Sequence, residues 1–205
     1  MSGNLFVISA PSGAGKTSLV RALIDINPQI DLSVSYTSRK PRPGERDGKD
    51  YHFVSRESFL SMAKHGEFLE SAEVYGNLYG SSQTWISEEI AKGRDILLEL
   101  DWQGAAQIRR IFPDCISVFV LPPSMAVLEQ RLRGRGKDDA EVISKRLAAV
   151  NDDVAHVAEF DYVIINDNLD EALQELNAIV LSARLKCARQ LAVHQALINQ
   201  LQYPE

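Results

Sequence analysis

Ala10-Pro11-Ser12-Gly13-Ala14-Gly15-Lys16-Thr17 follows the phosphate-loop pattern G-x-x-x-x-G-K-[ST], with Ala10 standing where the first glycine is usual. Closely spaced backbone N–H groups in such a loop, with the N-terminus of a helix starting near Thr17, form a cradle for a β-phosphate. Lys16 then reaches the β- and γ-phosphate oxygens, and the Thr17 hydroxyl ligates Mg²⁺. A Gly-rich turn between strand and helix is the bland reading. The context favours a nucleoside triphosphate site: Leu5-Phe-Val-Ile8 reads as a buried strand directly before the loop, and a helical pattern runs from Thr17 to about Ile26.

Two further groups of residues fit phosphate chemistry. In Ile96-Leu-Leu-Glu99-Leu-Asp101 the two carboxylates are spaced by two, so along a strand they face one side, towards the carboxyl end of the sheet. Glu99 there suits a metal held through water; Asp101 alone would serve equally as the cap of a helix starting near Gln103. Between Arg39 and Lys49 five basic residues meet two acidic ones, with prolines that fix the loop and Tyr51 close behind. Arg39 and Arg42, with Ser or Tyr hydroxyls, can surround one phosphate dianion. Such a loop is ordinarily a solvated charged surface, but beside a phosphate loop it suggests the acceptor pocket that a kinase needs and a hydrolase does not.

Arg131-Leu-Arg-Gly-Arg135-Gly-Lys137 is a glycine-punctuated basic stretch between two helical patterns, which suggests a hinged lid. Its bland alternative, a solvated helix end, fits Arg133 and Lys137 better than the cluster as a whole. His52, His65, His156 and His194 share no metal spacing and no nucleophile partner, and Trp85 and Trp102 read as packing residues beside the site.

Positioning these groups requires a sheet. Asp95–Leu100, Ile116–Leu121 and Tyr162–Ile165 are further buried-strand candidates separated by helical stretches, so the fold class expected is α/β, a mostly parallel sheet with helices on both faces. Two stretches interrupt the alternation: an inserted lobe at 36–82 and a helical lid at 124–154. The core is then 1–35, 83–123 and 155–205. A last helix starts near Leu169, its apolar face running through Leu173, Leu176, Val180, Ala183 and Cys187. Beyond it Leu191, Leu197 and Leu201 fit either packing along the same domain or contact with a second subunit.

The composition bounds the rest. At 205 residues the chain fits one domain with inserted lobes, and 45% hydrophobic with 24% charged residues is that of an ordinary globule. A net charge of −6 argues against generic binding to nucleic acid or anionic membrane. That total is an average: the windows Arg39–Lys49 and Arg131–Lys137 carry +3 and +4, leaving −13 elsewhere. No run approaches the ~18 apolar residues of a membrane span, and the first ten residues lack a signal peptide's basic start. Cys115 and Cys187, in no metal spacing, read as reduced thiols, and the expected location is the cytoplasm.

Ser33-Val-Ser35 through Arg39-x-x-Arg42-Pro-Gly-Glu45 to Gly48-x-x-Tyr51-x-Phe53 resembles the acceptor site of guanylate kinases. Phe68-Leu-Glu70, Gly76-Asn-Leu-Tyr79-Gly-Ser81, Asp101-Trp-Gln-Gly104, Leu121-Pro-Pro-Ser124, the lid arginines and Asn166-Asp167 follow in family order, so the resemblance spans about residues 4–185. It implies transfer of the γ-phosphoryl group of ATP to GMP, and to dGMP, with Mg²⁺ as cofactor. By the same resemblance Ser35, Arg39, Arg42, Tyr51 and Tyr79 hold the GMP phosphate, Glu70, Ser81 and Asp101 read the base, and Asn166 contacts the adenine of ATP. Lys16, Arg131, Arg135 and Arg146 act on the phosphates in transfer. The chain departs from the commoner pattern at Ala10, at Glu99 where Asp is frequent, and at Asn168. Within this fold two other functions stand as alternatives, a non-catalytic binding module and a kinase for another phosphorylated acceptor such as a ribose bisphosphate.

Overall fold

Residues 3–134 and 140–202 are described in the computed structural model of the chain. The first strand, β1 (Leu5–Ser9), is buried along its whole length. Its alternate residues face opposite ways: Phe6 and Ile8 join one apolar cluster, Leu5 and Val7 another. The phosphate loop leads from its end into α1 (Lys16–Ile26), followed by the short β2 (Ile30–Leu32). Next come β3 (Tyr36–Thr37), β4 (His52–Phe53), α2 (Arg56–Lys64) and the hairpin β5 (Phe68–Val74) with β6 (Asn77–Ser82). The chain then alternates: α3 (Gln83–Ala91), β7 (Asp95–Glu99), α4 (Trp102–Ile111) and β8 (Ile116–Leu121). Helices α5 (Met125–Gly134) and α6 (Ala140–Ala155) precede a 3-10 turn at Val157–Glu159 and β9 (Tyr162–Ile165). Three helices close the chain, α7 (Leu169–Arg184), α8 (Cys187–Val193) and α9 (Gln195–Gln202).

The expected α/β fold is what forms. A five-stranded parallel sheet has the order β2-β7-β1-β8-β9. Leu19, Val20 and Leu23 of α1 with Ala172, Leu176 and Val180 of α7 cover one face. Ile86 of α3 with Ala105 and Ile108 of α4 cover the other. Burial on both faces explains why β1, β7 and β8 read as continuous apolar runs, and each fully buried Leu or Ile contributes about 1.5–3 kcal/mol. The run Tyr162–Ile165, expected to be buried, is instead the edge strand β9, in which only Ile164 is buried. The chain crosses from β7 to β8 over the central β1, so the crevice at the carboxyl ends of these strands is the natural place for a ligand.

A second sheet, β4-β3-β6-β5, is built entirely from residues between Tyr36 and Ser82. Its hairpin turns at Tyr75 and Gly76, both at positive φ (49° and 77°), a turn that matches the twist of the two strands. Helices α5 and α6 make a small apolar cluster of their own from Leu128, Leu132, Ile143 and Val150. No helix among the described residues is long and apolar enough to cross a membrane.

The last long helix departs from expectation. Instead of running on to Cys187, α7 ends at Arg184, and Lys186 is extended before α8 begins. Arg184 Nε and Arg189 Nη1 both bind the fully buried Asp95 carboxylate, at 2.7 and 2.6 Å, and the break between the helices brings both guanidiniums to it. Cys187 is consequently exposed.

Candidate active site

One cavity of about 370 Å³ opens at the carboxyl ends of the central strands, between the phosphate loop, the second sheet and α6. Ala10, Ser12, Gly13, Gly15, Lys16 and Thr17 line its floor. Gly13 and Gly15 both sit at φ 96°, a region that side chains disfavour, and they fold the loop back over the start of α1. Gly15 caps α1 without any side-chain hydrogen bond, and the first turn carries no acidic residue. Its N-terminal N–H groups are therefore available to an anion. Pro11 and Ala14 are buried behind the loop rather than lining the cavity.

Lys16 Nζ donates to the Leu100 carbonyl at 2.7 Å. Thr17 Oγ1 donates to Glu99 Oε1, so the hydroxyl and carboxylate expected at the metal stand side by side, both lining the cavity. Two adjacent hard oxygen donors next to a phosphate cradle fit Mg²⁺, which binds few protein oxygens and completes its shell with phosphate and water. Asp101 diverges from Glu99: it caps α4, accepting the Gly104 N–H on Oδ1 at 2.9 Å, and still lines the cavity. Capping and lining are thus served by one carboxylate.

On the acceptor side Ser35, Arg42, Tyr51 and Tyr79 line the cavity. The Tyr51 and Tyr79 rings meet edge to face with centroids 5.9 Å apart. Burial, with the Glu99 and Tyr79 charges adding to it, pushes the Tyr51 phenol up to about 12, so at neutral pH it is a hydrogen-bond donor. Arg39 does not line the cavity; its guanidinium is held by both Glu45 oxygens at 2.8 and 3.0 Å and stacks over the Tyr51 ring at 5.2 Å.

Glu70 and Ser81 are a cross-strand pair on β5 and β6. A register shift between Phe68 and Glu70 makes the consecutive residues Leu69 and Glu70 both buried, turning the carboxylate inward. Ser81 Oγ donates to Glu70 Oε1 at 2.7 Å and lies 3.4 Å from Ser35 Oγ. Burial pushes the Glu70 carboxyl up to about 7, against the Ser81 hydroxyl, with the charge of Asp101 adding to the rise. Glu70 lines the cavity, whereas Ser81 sits fully buried behind it.

On the α6 side Arg146 lines the cavity and donates to Ser12 Oγ at 3.2 Å. Arg131 reaches the back of the loop, donating to the carbonyls of Ala14 (3.3 Å) and Asn166 (2.9 Å). The buried Asn166 amide donates to the Ala14 carbonyl at 2.8 Å, bracing the loop from below. Arg135 lies outside the described residues.

The cavity also collects residues that the sequence reading passed over. Ala149 and Asp153 line it with Arg146, at spacings of three and four along α6, and Tyr75 faces them from the β5–β6 turn. Burial pushes the Asp153 carboxyl up to about 6, and the nearby charges of Asp101 and Asp152 add to it. The signal was present as one helical face, Arg146, Ala149, Asp153. Trp102, expected only to pack, lines the cavity and stacks on His156 with ring centroids 3.6 Å apart.

Known proteins agree with this architecture. The family model described as guanylate kinase matches residues 2–183. The guanylate kinase of Nitrosospira multiformis is 57% identical over 199 residues, covering 97% of this chain and 95% of that protein. The guanylate kinase of Methylobacillus flagellatus is 56% identical over 201 residues, 98% of this chain and all of that one. The crystal structure of guanylate kinase from Anaplasma phagocytophilum superposes with a TM-score of 0.79 at 32% identity, covering 98% of this chain and 97% of its own. A family match over residues 2–183 and relatives 56–57% identical along nearly the whole chain show that the chain belongs to the guanylate kinase family.

Proposed function

We propose that the chain transfers the γ-phosphoryl group of ATP to GMP, giving ADP and GDP, with Mg²⁺ accompanying ATP. The observation that carries this reading is one cavity with a phosphate loop on one wall and the Glu70 and Asp101 carboxylates on another. Guanine presents N1–H and its 2-amino group as donors to carboxylates, and O6 as an acceptor for a rotated Ser81 hydroxyl. Adenine would set its N1 lone pair against a carboxylate. In a desolvated site such mispairing discriminates by roughly 10⁴-fold or more.

Ser35, Arg42, Tyr51 and Tyr79 line the same cavity as the carboxylates and the phosphate loop, and in this reading they hold the phosphate of GMP. Arg39 supports them through its stack on Tyr51 and its fork on Glu45, and it reaches the phosphate by exchanging that partner. No general base is required, because a phosphate monoester with a second pKa near 6 is largely ionised at neutral pH. Catalysis is then positioning and neutralisation of charge as the phosphoryl group passes through a loose transition state. Lys16, Arg131, Arg135 and Arg146 supply positive charge, and Asn166 contacts the adenine of ATP, while its amide also braces the loop at Ala14. Thr17, with Glu99 through water, would hold Mg²⁺, which would supply further positive charge to the β- and γ-phosphate oxygens. The lobe at 36–82 and the lid at 124–154 close over the core at 1–35, 83–123 and 155–205, excluding water.

Acceptance of dGMP is part of the reading, as is a cytoplasmic location, supported by the two unpaired cysteines. Self-association through the C-terminal helices is supported by α8 and α9, which bury no residue and expose Leu191, Leu197 and Leu201. The base-reading assignment is tested by Glu70→Gln. The ratio of kcat/KM for GMP over AMP should fall at least about tenfold; an unchanged ratio would remove Glu70 from base recognition.

A further inference from the structure

We infer that Gly104 is a specificity-determining positioning residue: the missing side chain at this place in α4 is what lets Glu70 and Asp101 converge on one edge of the acceptor base. The inference rests on the reading of these carboxylates as the base readers. Both meet at Gly104. Asp101 Oδ1 accepts its N–H at 2.9 Å, and Glu70 Oε2 stands beside the place a side chain here would occupy. A Cβ at this position would stand 2.9 Å from Glu70 Oε2, 3.3 Å from Asp101 Oδ1 and 3.4 Å from Leu100 Cβ. The first distance is one that real Cβ atoms essentially never show, so the Glu70 carboxylate would have to move.

Backbone conformation does not demand glycine here. Gly104 lies within the first turn of α4 and is not among the positive-φ glycines. Alanine is the better helix former at such a position, and glycine carries a cost there that room for Glu70 accounts for. Glu70 has little freedom to accommodate a methyl group. Ser81 fixes its other oxygen at 2.7 Å, and Leu69 is packed beside it in the apolar core. The added methyl would therefore displace the oxygen that faces α4, and with it the spacing between the two carboxylates.

The test is steady-state kinetics and thermal unfolding of Gly104→Ala, alone and combined with Glu70→Asp, whose shorter side chain withdraws from the new methyl. A misplacement of order 1 Å in a positioned group can cost up to 10²-fold, so KM for GMP should rise about tenfold and the GMP/AMP ratio of kcat/KM should fall. KM for ATP should stay within about threefold, and Tm should fall only modestly, the gain in helix propensity offsetting part of the crowding at Glu70. Glu70→Asp should cost less in the Gly104→Ala background than in the parent, a coupling that a merely structural glycine would not produce. Parent-like KM for GMP in Gly104→Ala, or additive effects in the double variant, would overturn the inference. The outcomes separate cleanly: loss of the ratio in Glu70→Gln with retention in Gly104→Ala defeats the role of Gly104 alone. Retention in Glu70→Gln defeats the base-reading assignment beneath it.

Discussion

Ser81 Oγ donates a 2.7 Å hydrogen bond to Glu70 Oε1, and the two residues face each other directly across the β5–β6 ladder. Among the described residues this is the one side-chain hydrogen bond to the buried carboxylate, and burial still pushes its pKa up to about 7. The carboxylate is therefore waiting for donors, and guanine supplies two.

The pH dependence of acceptor binding follows. Guanine binds the ionised form, so affinity should fall as pH drops through about 7. Because the GMP phosphate also titrates near pH 6, guanosine is the cleaner probe. Its inhibition constant should rise between pH 8 and pH 6 in the parent, and the limb should vanish in Glu70→Gln.

Stability should move the opposite way. The folded-state pKa of Glu70 lies above its ordinary 4.5, so its contribution is fully present below that value and is lost as pH rises through about 7. Glu70→Gln removes a buried charge without removing volume. Tm of the variant should exceed that of the parent at pH 8 and converge with it at pH 5, read by thermal unfolding at both values.

Arg131 lies behind the phosphate loop, bonded to the Ala14 and Asn166 carbonyls. Arg131→Ala should lower kcat roughly 100-fold, the loss typical of one removed donor to transition-state charge, while KM for GMP changes little. Arg135→Ala should behave likewise. Unchanged kcat in steady-state assays would assign Arg131 to bracing alone.

Thr17→Val keeps the shape of the side chain and removes the hydroxyl shared with Glu99. Titration with MgCl₂ at fixed ATP should show a higher half-saturating concentration and a lower plateau. Removing the metal with EDTA should abolish turnover in the parent while leaving ATP binding, followed by calorimetry, detectable.

Asp95, at the opposite end of β7 from Glu99, binds the Asn4 backbone N–H, Arg184 and Arg189 from a fully buried position. Asp95→Asn leaves two guanidiniums facing a neutral group and should destabilise the fold by roughly 3–5 kcal/mol. The urea midpoint should fall accordingly, with kcat/KM nearly unchanged for the fraction that is folded.

The sequence was most legible where burial is symmetric. β1, β7 and β8 are apolar runs because helices cover both faces of the central sheet, and each was recognisable without tertiary information; β9 carries the same kind of run at the sheet edge, where only Ile164 is buried. The lobe was visible as an interruption with a short strand-like piece at Tyr51–Val54, where β4 forms; its sheet was not, since β3 and β4 are two residues each and exist by pairing with distant partners. The break after Arg184 was hidden for the same reason: helical periodicity continues through it, and its cause, Asp95, lies far away in sequence. Most of the expected site residues converge on one cavity. Among the described residues Pro11 and Ala14 lie buried behind the loop, and Arg39, Ser81, Asn166 and Arg131 are engaged with side chains or carbonyls that the motif pattern does not name. The α6 face bearing Asp153 was readable from spacing, yet nothing local marks it as facing a cavity rather than solvent.

The central claim is phosphoryl transfer from ATP to a guanine monophosphate. Its most direct test is an assay of the purified protein with ATP, Mg²⁺ and GMP, AMP, CMP, UMP or a ribose bisphosphate in turn, following ADP and the phosphorylated product. ADP formed in step with GDP, with GMP favoured over AMP by roughly 10⁴-fold or more, is the predicted result. ADP formation independent of GMP, or faster with another acceptor, would contradict it.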